Sequence, residues 1–288
     1  MTLEHKPEEN KPFEGLNYGL NRRASVTQES KPFELQGPIY HDLFSQSRLL
    51  LNGVPLMLKF WPSTEKFRLM AGDPKSEYKI DILDARLNMC TVKVSPSLML
   101  AHAEVLKSTP AIYPYQKSDI RTYTMSKGSF NFAIDDLYQG EVPNRVLVGI
   151  VSSQGYNGSF QKSPFNFEHV NLNYISFQVN GQSRPRVALT PNFKENHYVE
   201  SYLTLLNGQN SKKGLGISFE RYKDSGYTLF LFNLKDTPHN DHNSVQERGH
   251  TRLELKFSEA LKESYTLIIY SQASKEMKID QYRNVYLE

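Results

Sequence analysis

From Asp119 onward the sequence is a succession of short apolar runs, most of them bounded by Gly, Pro, Asn or Ser. DIRTYTM (Asp119–Met125), NRVLVGIV (Asn144–Val151), VNLNYISFQV (Val170–Val179), RPRVAL (Arg184–Leu189), YTLFLFN (Tyr227–Asn233), TRLELKF (Thr251–Phe257), YTLIIYS (Tyr265–Ser271) and the closing EMKIDQYRNVYL are rich in β-branched and aromatic residues. Such residues fit a pleated, half-buried surface. Eight segments at this spacing predict two packed sheets, the strand number of a jelly-roll sandwich. One helix interrupts the series: ENHYVESYLTLLNG puts Val199, Tyr202, Leu203 and Leu206 at helical spacing and stops at Asn207-Gly208.

Within the series, FNFEHVNLNYISFQVNGQ (Phe165–Gln182) is irregular. Val170, Leu172 and Tyr174 alternate with polar residues on one parity, whereas Ile175, Phe177 and Val179 continue on the other. A slip of one residue sends every later side chain through the sheet. The stretch therefore predicts either a bulge near Tyr174 and Ile175 or a strand covered on both faces. In the second case the Val170 set faces one layer and the Ile175 set another.

Composition removes several classes of function. A net charge of +3 over 288 residues, with no stripe of Lys and Arg interleaved with stacking aromatics, gives no expectation of specific nucleic-acid reading. Cys90 is the single cysteine, so neither an intramolecular disulfide nor a cysteine zinc cage can form. No apolar run approaches a membrane span, and the N-terminal residues lack the apolar core of a secretion signal, so the chain is not expected to be secreted.

The chain divides by pattern into four parts. Residues 1–33 are polar enough to be extended or disordered; they contain Arg22-Arg23-Ala24-Ser25, the form of a basophilic kinase site. Residues 34–94 hold strand-like segments. Among them SRLLLNGVPLMLKFW has Asn52-Gly53 as a two-residue turn signal, and YKIDILDARLNMCTVKV alternates imperfectly. Residues 95–117 form a linker helix and connection: Ser95 caps, Pro96 occupies the first helical position, and Leu98, Ala101, His102 and Val105 share a face. His102 on that stripe reads as a packed or boundary residue. Residues 118–288 carry the complete series of strands.

Chemistry is sparse. His239, Asp241 and His242 in PHNDH are near enough in sequence to hold a metal, but they lie in a Pro/Asn/Asp-rich stretch with the character of a solvated loop. No metal, cofactor or catalytic residue is assigned, and no enzymatic activity is expected. No strand carries the His-x-His pair that a cupin requires, and no Gly-x-Ser-x-Gly elbow occurs. A carbohydrate- or protein-binding β-sandwich without catalysis is the alternative reading, with Trp61 and loop tyrosines as stacking groups; a lone Trp directly after LMLKF nevertheless reads as packing.

Several blocks, taken in order, resemble a known family. HDLFSQSRLLLNGVPLMLKF, YKIDILDARLNMCTVKVSPSLMLAHAEVL, VPNRVLVGIVSSQGYNGSFQKSPFNFEHVNLNYISFQVNG, GYTLFLFNL, RLELKFSEAL and IDQYRNV are similar to the C-terminal part of the double jelly-roll major capsid proteins of Polinton (Maverick) elements and adintoviruses. The likeness runs from about Asn21 to the end, and GYNGSFQKSPFNFEHVNLN is its most specific stretch. The resemblance implies an all-β fold in which residues 34–94 supply the later strands of a truncated first jelly roll and residues 118–288 a complete second one, with a few short helices in the connections. It further implies an architectural role: three copies of the chain forming a capsomer alongside other capsid proteins, in a virion capsid made in the host cytoplasm and assembled there or in the nucleus.

Overall fold

The structure is a computed structural model that describes residues 18–45, 47–71, 73, 77–208, 216–234 and 247–287. Among these residues the helices are α1 Tyr18–Thr27, α2 Glu65–Arg68, α3 Pro96–Leu106, α4 Ser153–Asn157, α5 Val199–Asn207 and α6 Phe219–Asp224. The strands are β1 Ala111–Met125, β2 Asn131–Glu141, β3 Arg145–Ser152, β4 Leu172–Val179, β5 Gln182–Ser183, β6 Leu229–Asn233, β7 Arg248–Phe257, β8 Tyr265–Ile279 and β9 Val285–Leu287. Two compact units result. The first takes residues up to Gly37 with Ser63–Tyr78 and Asp119–Ser271; the second takes Pro38–Pro62, Lys79–Ser118 and Gln272–Glu288.

In the first unit the strands pair in a nested order. β4 pairs with β5, β3 with β6, β2 with β7, and β1 lies beside β8. This is one long hairpin rolled up on itself, and rolling distributes it into two sheets, β1-β8-β3-β6 and β2-β7-β4-β5. That order is a jelly roll. The space between the sheets is filled by side chains. Val146, Val148 and Ile150 of β3, Phe230 and Phe232 of β6, and Leu267 and Ile269 of β8 pack in one cluster with Ile175, Phe177 and Val179 of β4 and Leu253 and Leu255 of β7.

The parity switch in β4 is a bulge. Leu172 pairs with Phe257 and Tyr174 with Lys256, so Asn173 is the extra residue. Leu172 thereby enters the same core as Ile175, Phe177 and Val179, which corrects the expectation that the two sets face different layers. Tyr174 lies on the outer face with the Lys256 ammonium 4.6 Å from its ring centre. The strand then turns through Asn180 (φ 51°) and Gly181 (φ 79°) into β5, the positive-φ pair that a two-residue hairpin needs.

The strand covered on both faces is β3. Its core face holds Val146, Val148 and Ile150, and Val151 on the other parity is equally buried. Here the chain from α4 to Phe167 folds over the outside of the sheet. Phe167 rests on Gly149 so closely that a Cβ there would lie 2.5 Å from the Phe167 ring and 2.8 Å from Leu229 Cδ2. Residues Ser63–Tyr78 add to this cover: Ala71 N donates to Phe160 O at 2.8 Å, and Phe67 and Tyr78 meet Phe165 and Phe160 edge-on at 5.8 and 5.4 Å. Lys162 Nζ fastens the cover by donating to both Glu263 oxygens at 2.9 Å.

Several strand assignments differ from the sequence expectation. YTLIIYS and the start of EMKIDQYRNVYL are one continuous strand, β8, and only Val285–Leu287 of the remainder forms a separate strand, β9. RPRVAL is irregular, and only Leu189 makes an isolated bridge, to Ile175. The strand not anticipated is β2, whose register shifts between Asp135 and Gln139. The shift hides the alternation of Phe132 and Ile134 from that of Leu137. Thr251 closes the irregularity: its hydroxyl accepts from Tyr138 N at 2.7 Å and donates to Tyr138 O at 3.2 Å, standing in for a ladder rung. The buried stripe of α5 is also rotated. Ser201 and Leu205 are buried, whereas Val199 and Leu203 are exposed. After β6, Arg184 donates to Leu234 O at 2.7 Å and holds Glu247 bidentately at 2.7 and 2.9 Å, bringing together both ends of the 235–246 stretch.

The second unit has a small core. Tyr113 of β1 and Met277 and Ile279 of β8 pack with Leu43, Leu50, Leu51 and Val54. The Tyr113 hydroxyl donates to Leu49 O at 3.2 Å and accepts from Leu51 N at 3.1 Å. β9 pairs with the end of β8, and the Asp280 carboxylate accepts from Tyr282 N, Asn284 N, Asn284 Nδ2 and Tyr286 Oη across that turn. The chain turns at Asn52-Gly53, but only Gly53 is at positive φ (83°) and no strand flanks it, so the expected two-residue hairpin does not form; residues 54–61 and 77–94 run without a ladder partner among the described residues. α3 is capped as expected, Ser95 accepting from Leu98 N at 3.4 Å. Its Leu98, Ala101, His102 and Val105 face is exposed, however, and only Leu106 is buried. Where polarity leads to an expectation of extended chain before residue 34, Tyr18–Thr27 is helical and ends at Glu29 and Ser30, both at φ 58°.

Gly149→Ala is expected to lower stability by about 1–3 kcal/mol, because both atoms it meets are packed side chains of the first unit. Chemical denaturation checks this, and an unchanged midpoint would show that the cover over β3 yields freely.

Candidate functional site

Two concavities and one set of exposed segments are the candidate sites among the described residues. The polar concavity, about 410 Å³, lies in the first unit between the chain before β4, α6 and the β7–β8 connection, and is lined by Glu168, His169, Lys223, Asp224, Glu259 and Tyr265 among others. Backbone pairing builds its wall: Phe167 N donates to Gly226 O at 3.0 Å and Thr228 N to Phe167 O at 3.2 Å. Leu172 N then donates to His169 O at 2.8 Å, closing a turn whose central residues, Val170 (φ 40°) and Asn171 (φ 53°), are both left-handed. A β-branched residue at positive φ costs on the order of 1–2 kcal/mol, so neighbouring contacts must hold the turn.

They do so from three sides. The His169 ring stacks on Phe193 at 4.3 Å and 13°, and its Nδ1 accepts from Asn171 N at 3.0 Å. In the neutral ring the proton therefore sits on Nε2. Asn171 O accepts from Ser258 N and Oγ at 3.0 and 3.1 Å, and Asn171 Nδ2 donates to Glu259 Oε2 at 3.2 Å. Glu259 is paired with Lys194, whose hydrogen bond and charge hold its carboxyl below the usual range. Burial and the nearby Lys223 ammonium lower the His169 pKa, with Asp224 opposing them. Burial, followed by the charges of Glu168 and Glu263, pushes the Tyr265 phenol up.

Lys223 and Glu168 in this concavity are held by neighbouring amides. Lys223 Nζ donates to Asn196 Oδ1 at 2.7 Å, and Asn166 Nδ2 to Glu168 Oε1 at 3.0 Å. The arrangement fastens a strained turn to two loops and presents no activated nucleophile with its base. The second concavity, about 610 Å³, is an open apolar groove between α5 and β6 lined by Val199, Leu203, Leu231 and Pro185. No group of three or more His, Cys, Asp and Glu among the described residues could hold a metal ion. His239, Asp241 and His242 lie outside the described residues.

Among the described residues, exposed large apolar side chains are frequent in the second unit. Leu56, Met57 and Phe60 are exposed, and Trp61, expected to be packed, is 80% exposed. Ile82, Leu83 (82% exposed), Leu87, Met89 and Val92 follow, then Leu98, Met99, Leu100 and Val105 of α3. These residues have strand or helix patterning and are exposed among the described residues. Apolar alternation in the sequence marked them as elements, but only the fold reveals that they remain uncovered. Extended chain with unpaired amides and carbonyls and apolar side chains is a template for pairing with further strands.

No protein-family model matches the chain. An uncharacterised protein of Caenorhabditis elegans is 29% identical over 200 residues, covering 67% of this chain and 48% of the worm protein. The chain thus spans about half the length of the curated relative it matches. Solved structures similar to it include the Sputnik virophage determined by cryo-EM (13% identity, 62% of this chain and 39% of that one, TM-score 0.36) and a quasi-atomic model of the PBCV-1 virus capsid (12%, 62% and 51%, 0.37). The mavirus major capsid protein is a third (10%, 62% and 41%, 0.33).

The lowered His169 pKa has a definite consequence for stability. A histidine whose folded pKa lies below its unfolded value binds its proton more readily in the unfolded chain. Stability is then lost as pH falls below about 6.5 and levels off below the folded pKa. His169→Gln is expected to flatten the stability curve of the first unit in that window, read as the difference between variant and wild-type denaturation midpoints across pH. A difference that does not change with pH would show that His169 titrates normally.

Proposed function

We propose that the chain is a structural capsid protein, a jelly-roll building block of a capsomer resembling those of Polinton (Maverick) elements and adintoviruses. The observation that carries this reading is the contrast between the two parts. The strands of the first unit complete a jelly roll whose interior is filled by side chains. Residues 54–61 and 77–94, by contrast, are extended, apolar and without ladder partners among the described residues. A filled interior leaves no ligand chamber of the cupin kind, and uncovered strand-patterned chain calls for further strands. The order of the sequence blocks similar to that family supports the same reading.

On this reading residues 34–94 are later strands of a first jelly roll whose remaining strands come from sequence outside this chain. Residues 95–117 are the connection, and residues 118–288 the second jelly roll. The partners are two further copies in a trimer and other capsid proteins, in a virion capsid made in the host cytoplasm and assembled there or in the nucleus. The role is architectural, with no catalysis, cofactor or specific nucleic-acid contact.

Expressed alone, the chain is expected to aggregate through the exposed segments. Co-expressed with the preceding segment of a longer relative, it is expected to give a discrete trimer by size exclusion with light scattering. Replacing Leu83 and Val92 together with Lys should reduce aggregation of the unaided chain. A monodisperse monomer in which both units unfold cooperatively would refute the proposal. The exposure of Trp61 keeps a second reading in view, a carbohydrate-binding sandwich; glycan binding by the monomer that is lost in Trp61→Ala would establish it instead.

A further inference from the structure

We infer that Ser25 is a phosphorylation site for a basophilic serine/threonine kinase. Arg22 and Arg23 stand three and two residues before Ser25. This spacing places two guanidinium groups where an acidic kinase surface can hold them while the hydroxyl enters the active site. The neighbouring hydroxyls lack that arrangement: Thr27 has Ala24 and Ser25 at the corresponding positions, and Ser30 has Thr27 and Gln28.

The fold leaves the site open. Residues 22–38 are exposed throughout, so both arginines and the serine are accessible together. A kinase needs its substrate extended, and here that is a small demand. α1 has ten residues, and its last six, Arg22–Thr27, are all exposed. A helix of this length is marginal in water, and its C-terminal half gains no burial. The Ser25 hydroxyl is engaged only locally, donating to Arg22 O at 2.8 Å. That bond is lost when the turn opens.

In the reaction, Ser25 Oγ attacks the γ-phosphorus of ATP, the bond from that phosphorus to the β–γ bridging oxygen breaks, and ADP leaves. The hydroxyl proton passes to the kinase base. The product carries about −1.5 to −2 charges beside Arg22 and Arg23, two residues from the end of α1. Negative charge is unfavourable at a helix C-terminus, so the last turn of α1 opens and the phosphate pairs with the two arginines. The modification converts a basic surface segment into a neutral or acidic one.

The test incubates the full chain, carrying L83K/V92K to keep it in solution, with ATP, Mg²⁺ and the catalytic subunit of a basophilic kinase, followed by intact mass and site mapping. One phosphate at Ser25 is expected. S25A should take none, R22A/R23A should react at least about tenfold more slowly through loss of charge-assisted contacts, and hydrogen exchange over residues 22–27 should quicken after modification. Phosphate placed elsewhere with Ser25 unmodified, or a rate indifferent to the arginines, overturns the assignment. So does failure of the full chain when a peptide of residues 18–30 is modified, because the folded chain would then shield the site.

Discussion

Apolar contact between two sheet faces is the condition on which the rest of the first unit depends. Phe177 of β4 and Phe232 of β6 meet across that gap with ring centres 5.9 Å apart. The residues on either side of each, two positions along the strand, are equally buried. Burial of this kind contributes on the order of 1.5–3 kcal/mol per large side chain. It also fixes register, since a slip of one residue would turn each strand's apolar set outward. The bulge at Asn173 and the Thr251 hydroxyl bonds beside Tyr138 are local departures that keep Leu172 and Leu137 inside while the ladder accommodates one extra residue in β4 and two in β2.

Much of this is legible in the sequence. Strands with clean alternation or a continuous apolar run, such as TRLELKF and NRVLVGIV, lie where the pattern puts them, and the Ser95-Pro96 start of α3 forms its cap. What escaped is what tertiary contact decides. β2 was hidden because Asp135, Asp136, Gln139 and Gly140 interrupt its period, and no local signal announces that Thr251, over a hundred residues later, will satisfy Tyr138. RPRVAL has strand composition, but the chain turns there and only Leu189 reaches the ladder. For α5, helical spacing admitted two overlapping stripes, and contact with the sandwich selected the one containing Leu205. The polar concavity at His169 could not be read either, because it brings together groups from α6 and the β7–β8 connection that are distant in sequence.

The second unit shows how little core can order a segment. Three buried side chains, Tyr113, Met277 and Ile279, gather the leucines of residues 43–51 around them. The hydroxyl of Tyr113 supplies both a donor and an acceptor to a backbone that has no ladder. Beyond that reach, residues 77–94 keep an extended course with their apolar side chains outward. Apolar patterning prepares a strand, but a partner strand has to satisfy its backbone.

Arg184 has a consequence for how this fold can vary. By holding Leu234 O and the Glu247 carboxylate with one guanidinium, it closes the base of the chain that runs between them. Leu234 and Glu247 are thereby fixed to one side chain of the first unit. Loop closure grows only logarithmically with length, about 0.6 kcal/mol for each doubling. Lengthening the chain between Leu234 and Glu247 is therefore expected to cost little stability while Arg184 holds both residues.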